Sequence, residues 1–154
     1  MNKSGIKEQI EAKGSYISTI VGDSMFPMLR DRKDLVLVEK PKGRLKRYDL
    51  PLYQRPSGQY VLHRVLWVHS DYYTICGDNR WQKEKVPDEW IVGVMKGFYR
   101  GEKFIPSSSF LYKLYVHIWC DFYFVRGGIL YLKSLPGRLK KRIVRKWKKL
   151  FNKS

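Results

Sequence analysis

The chain has 154 residues, 44% hydrophobic and 15% aromatic, enough for one domain with a core, which excludes disorder of the whole chain. Its 31 Lys and Arg against 14 Asp and Glu leave a net charge of +17, and ten of the basic residues lie from Lys133 onward, where there is no acid. Two cysteines, Cys76 and Cys120, exclude a disulfide framework and give no metal-ligand spacing, which fits a reduced cytosolic setting.

The first residues, MNKSGIKEQIEAKG, hold no apolar run, so neither a signal peptide nor an N-terminal membrane anchor is expected. Ser4 can cap a short helix through Ala12, with Ile6 and Ile10 on one face and Gly14 as its stop. A strand over Tyr16 to Val21 follows, then a turn, Gly22-Asp23-Ser24-Met25-Phe26-Pro27, and a second strand over Leu35 to Val38. Leu50 to Tyr53 reads as a short strand, placed at a sheet edge by Pro51. Tyr60 to Val68 is the strongest strand signal, with Tyr72 to Cys76 as its hairpin partner. Gly77-Asp78-Asn79-Arg80 is a turn, and Trp90 to Tyr99 makes a late strand pair. Closely spaced strands punctuated by Gly and Pro predict a mostly-β domain over 1–106.

From 107 to 154 the pattern changes. Phe110 to Leu132 is apolar and aromatic, with Lys113, His117 and Asp121 at every fourth position, one polar stripe of a helix. Spanning a bilayer would bury these and Arg126, each at roughly 2.5–3.5 kcal/mol, so an amphipathic helix in the membrane interface is expected instead. After Pro136-Gly137, Leu139, Ile143, Trp147, Leu150 and Phe151 mark an apolar face, with Lys and Arg covering the other. That combination predicts docking on an anionic membrane surface. Nucleic acid is disfavoured as a partner, because binding phosphates does not require the apolar face.

Three segments can carry chemistry, and each has a plain structural reading beside it. Ser24 sits where a strand runs into a turn, so it is either a displayed nucleophile or a helix cap with Pro27 in the first turn. His63 interrupts a strand, as a general base or as an ordinary strand histidine. Asp78 can orient a histidine or simply serve a hairpin turn, and Cys76 reads best as a small buried hydrophobe.

Taken in order, Gly-x-Ser-Met-x-Pro, then His63-Arg64-Val65, then Gly77-Asp78-Asn79 and Ile91-Val92-Gly93-Val94 resemble the signal peptidase I and LexA-like serine peptidase superfamily over residues 15 to about 97. The histidine makes it similar to the archaeal and ER-type signal peptidases, because the Ser–Lys enzymes carry a lysine before the arginine. The resemblance implies a coiled, mostly-β peptidase domain with a short N-terminal helix, here followed by a helical extension. It assigns Ser24 as nucleophile, His63 as general base and Asp78 as the first choice of acid, with Glu84 and Asp88 as alternatives. Gly22, Asp23, Met25 and Pro27 would shape the oxyanion and substrate region. Gly22 stands where signal peptidases often have an oxyanion serine. The implied substrate is an extended leader or signal segment with small residues before the cut. No cofactor or metal is expected, and the basic tail, rather than the resemblance, predicts a cytoplasmic location, peripheral at the inner face of the membrane. LexA-like self-cleavage and a non-catalytic module docking on membrane or nucleic acid remain alternatives.

Overall fold

A computed structural model describes residues 5–136 of the chain, without the side chains of 132–134. Ser4 and the basic stretch after Pro136, with its expected apolar face, lie outside the described residues. Helix α1 (Ile6–Lys13) buries Ile10 and ends at Gly14, whose φ of 77° supplies the left-handed cap. At its start Gly5 is the cap residue, and its N–H donates to Glu8 Oε2 at 2.9 Å.

Strands β1 (Ser15–Thr19), β2 (Asp34–Glu39), β3 (Pro51–Gln54), β4 (Tyr60–Leu62), β8 (Ile91–Arg100) and β9 (Lys103–Pro106) form one curled antiparallel sheet. Its order is β1-β2-β8-β3-β4. The long strand β8 pairs with β2 on one side; on the other its first half carries β3 and its second half β9. A smaller sheet holds β5 (Arg64–Val68), β6 (Tyr72–Cys76) and β7 (Glu84–Pro87) in that order. Between the sheets a buried cluster of Leu45, Tyr53, Val65, Tyr73, Ile75 and Val86 locks one to the other.

Four expectations change. The late strand pair expected over Trp90 to Tyr99 is one strand, β8, whose hairpin partner is β9. Tyr60 to Val68 is not one strand: it breaks at His63, and its halves belong to different sheets. The apolar run continues through the crossing because both halves are packed against core, so composition does not mark it. Strand β3 is not an edge, since it pairs with β4 and β8; Pro51 is tolerated because it is the first strand residue. Finally, the helix expected over Phe110 to Leu132 divides into α2 (Phe110–Asp121) and α3 (Tyr123–Ser134) at Phe122.

These helices belong to the body of the domain. Tyr112, Val116, Cys120 and Tyr123 join the main buried cluster, with Arg126 buried beside them. Lys113, His117 and Asp121 lie exposed, as their spacing predicts, and Asp121 pairs with Arg47 at 3.0 Å. A third stripe, Leu111, Leu114, Ile118, Phe122, Val125 and Ile129, recurs every three or four residues and is 45–75% exposed. Among the described residues no helix is long and apolar enough to cross a membrane.

Candidate active site

The turn that carries Ser24 is a loop pinned at both ends and in the middle. Gly22 adopts φ 99°, which favours a residue without Cβ, and its N–H donates to Asp31 Oδ1 at 2.7 Å. Met25 and Leu29 are 1% and 0% exposed, each burial stabilising by roughly 1.5–3 kcal/mol, and Leu29 N–H donates to the Met25 carbonyl at 2.9 Å. Pro27 follows a cis peptide bond from Phe26 rather than opening a helix. The turn therefore plugs Met25, Met28 and Leu29 into the core, leaves Phe26 exposed and holds Ser24 half-buried at the rim.

Ser24 and His63 line one cleft of about 500 Å3. One wall comes from the free edge β1 and the loop after it, the other from the free edge β4 and His63; Val36, Val38 and Leu52 contribute apolar side chains between them. His63 reaches the cleft because it occupies the single residue between β4 and β5.

The Gly77-Asp78-Asn79 turn brings the two sides together. Asn79 N–H donates to the Ser24 carbonyl at 2.7 Å, and the Asn79 amide donates to the Asp23 carbonyl at 3.2 Å. Asp23 also pairs with Arg80, whose guanidinium holds its carboxyl below the usual range. A Cβ on Gly77 would stand 2.7 Å from the Ser24 carbonyl oxygen and 3.1 Å from His63 Nε2. Only glycine lets the Ser24 turn and the imidazole approach so closely. Ser24 Oγ makes no hydrogen bond among the described residues.

Asp78 faces elsewhere. Its carboxylate is fully buried and takes a two-pronged bond from Arg64, Nε to Oδ1 and Nη2 to Oδ2, both at 2.8 Å. Tyr115 donates to Oδ2 at 3.2 Å, and Trp119 donates to the Asp78 carbonyl at 2.8 Å. Burial alone would favour the neutral form of Arg64, but the Asp78 charge outweighs it and holds the guanidinium firmly protonated. The pair ties β5, the 77–80 turn and α2 into one unit. Asp88 is likewise away from the cleft, paired with Arg44 at 3.2 Å.

The carboxylate nearest to His63 through hydrogen bonds is Glu84. Tyr53 Oη lies 3.4 Å from His63 Nδ1 and donates to Glu84 Oε2 at 2.9 Å. Arg55 grips Glu84 from the other side at 2.8 and 2.6 Å, and this bond holds the Glu84 carboxyl below its usual range. Burial pushes His63 down to about 4, and the Arg55 charge adds to that shift while Glu84 opposes it. The ring is therefore neutral at pH 7, as a general base must be before it acts.

Sequence reasoning missed Tyr53, Arg55 and Asn79. Asn79 stood inside a quoted motif with no role attached, whereas nothing in the spacing of Tyr53 or Arg55 singled them out. Cys76 and Cys120 are free and buried, and burial raises both thiols, which keeps them unreactive. Among the described residues no group of three or more His, Cys, Asp or Glu side chains is arranged to hold a metal ion.

No family model matches the chain, and no curated protein matches it.

Proposed function

We propose that this protein is a serine endopeptidase of the signal peptidase and LexA-like kind, with Ser24 as nucleophile and His63 as general base. The observation that carries the reading is the convergence of the Ser24 turn and His63 Nε2 on Gly77, at the wall of a cleft between two sheet edges. The motif order along the chain supports the same assignment, as does the curled, mostly-β architecture.

In this mechanism an extended peptide lies in the cleft and pairs with the open backbone of β1 or β4, its side chains alternating toward the apolar floor. Ser24 Oγ attacks the scissile carbonyl carbon as its proton passes to His63 Nε2. The tetrahedral oxyanion is met by backbone N–H groups of the Ser24 turn, since the Gly22 N–H is already committed to Asp31. Collapse breaks the C–N bond, and the imidazolium gives its proton to the leaving amine. Water then attacks the acyl-enzyme with His63 as base again, freeing the acid product and Ser24. On this reading Asp78 builds the site and Glu84 supplies the negative charge on the His63 side. The substrate class is a leader or signal segment with small residues before the cut.

The test is incubation of the purified chain with leader-type peptides, read by mass spectrometry beside Ser24→Ala. Wild type should yield one defined cut that Ser24→Ala loses by at least about a thousandfold. Equal products from both proteins would sink the assignment.

The proposed partner of the helical extension is an anionic bilayer at the inner face of the membrane. The exposed apolar stripe of α2 and α3 leads into a segment with no acid after Asp121 and ten basic residues from Lys133. A protein partner for the stripe would not call for so one-sided a charge, whereas each Lys or Arg near anionic lipid adds about 1 kcal/mol. In flotation, wild type should rise with phosphatidylglycerol-containing vesicles and not with phosphatidylcholine alone. Either Ile118→Glu with Phe122→Glu, or deletion of 137–154, should abolish flotation. Binding that survives both changes would contradict the docking surface.

A further inference from the structure

We propose that Tyr53 is a positioning residue that fixes the tautomer of His63, holding the proton on Nδ1 so that Nε2 faces the Ser24 turn as a bare base. The inference rests on the Ser24–His63 reading, and it follows from counting protons in the chain His63–Tyr53–Glu84–Arg55.

A phenol has one proton to donate and lone pairs to accept with. Glu84 is gripped twice by Arg55, so its carboxylate is ionised and can only accept. The Tyr53 proton is therefore spent on Glu84 Oε2, at 2.9 Å. What remains to face His63 Nδ1, 3.4 Å away, is an oxygen lone pair. That leaves Nδ1 one way to form a hydrogen bond, which is to carry the ring proton and donate it. The second nitrogen, Nε2, is then unprotonated, and it is the one that lies against Gly77, as the Ser24 carbonyl also does.

Tyr53 is suited to the task by its placement. It is fully buried between the two sheets, on a strand paired on both sides, so its hydroxyl cannot swing to water. Its ring meets His63 edge to face at 6.3 Å, which adds steric control of the imidazole plane. In the familiar triad a carboxylate bonds the histidine directly. Here the phenol stands between them, passing on the orientation while Arg55 offsets most of the negative charge. Burial, with the Arg55 charge adding to it, keeps the resting ring neutral, and Glu84 is close enough to stabilise the imidazolium formed in the reaction.

The charged groups around the ring are Glu84 from β7, Arg55 after β3, and Asp78 and Arg80 from the 77–80 turn. The measurement is a long-range 1H–15N correlation of side-chain histidines in the full chain at pH 7, with His63 assigned by the signals lost in His63→Gln. Wild type should show His63 with Nδ1 protonated. Tyr53→Phe keeps the ring and removes the acceptor, so it should shift the population toward the Nε2-protonated form. It should also slow Ser24 acylation about tenfold or more, with the pH profile of the remaining rate altered. Glu84→Gln replaces one acceptor oxygen by an amide donor and should shift the tautomer in the same direction, which keeps the test alive if Tyr53→Phe folds poorly. A wild-type His63 protonated on Nε2, or a tautomer that neither variant changes, would overturn the proposal. The tautomer is read without turnover, so a chain that shows it but has an unreactive Ser24 would refute the peptidase reading and leave this one standing.

Discussion

Asp78→Ala should lower the unfolding free energy by about 3–5 kcal/mol, because it leaves the Arg64 guanidinium charged, buried and without its partner. Domains of this kind are stable by only about 5–15 kcal/mol, so the variant should stand close to unfolding at room temperature. Arg64→Met should cost a similar amount through the orphaned Asp78 carboxylate. The double variant Arg64→Met with Asp78→Leu should recover only part of the loss, since it removes both desolvation costs of the pair but leaves buried Arg126, 4.0 Å from Asp78, without that carboxylate. Urea unfolding of Arg64→Met, Asp78→Leu and the variant combining them gives the coupling directly. The same series separates a structural Asp78 from a catalytic one. As the triad acid, Asp78 would lose Ser24 reactivity on substitution while stability changed little. The geometry predicts the reverse, and it predicts that Glu84→Gln changes reactivity with a smaller effect on stability, because Glu84 is 26% exposed.

The second large effect is set by His63. Its pKa of about 4 in the fold lies below the value of 6.5 in the unfolded chain. As pH falls from 6.5 toward 4, the unfolded chain takes up a proton that the folded one refuses, so this group lowers stability across that window and contributes no slope above it. Reactivity follows the neutral ring and should persist through pH 5, falling only near 4. A base resembling free histidine would already lose half its activity near 6.5.

How far these features were legible differs from residue to residue. The strand–turn–strand around Ser24 was legible, because alternation and the cluster Gly, Asp, Ser and Pro are local signals. The polar stripe was legible too, since Lys113, His117 and Asp121 recur at every fourth position, but nothing in that spacing said that Tyr112, Val116 and Cys120 would pack into the core of the domain. Position 63 was harder. An apolar run packed on both flanks reads as one strand, and the change of sheet at His63 is a tertiary event with no mark in composition. Strand β7 passed unseen because Val86 is the one fully buried residue in Glu84–Pro87. The acid was the least legible element. The Gly-Asp-Asn motif located its turn correctly, but whether Asp78 meets His63 or Arg64 depends on which of two neighbouring side chains faces the core. Tyr53 had no signal at all, because a tyrosine on a strand is ordinary until its hydroxyl is seen between an imidazole and a carboxylate.

The central claim is that Ser24 is activated by His63, and a fluorophosphonate probe tests it without a known substrate. Mapped by peptide mass spectrometry from pH 3.5 to 8, wild type should carry the adduct on Ser24, with a rate that is level above about pH 5 and falls toward pH 4. A His63→Ala chain that stays folded should lose the label by at least about a hundredfold. A folded wild-type chain that leaves Ser24 unlabelled, or a label that survives His63→Ala at the same rate, would contradict the account.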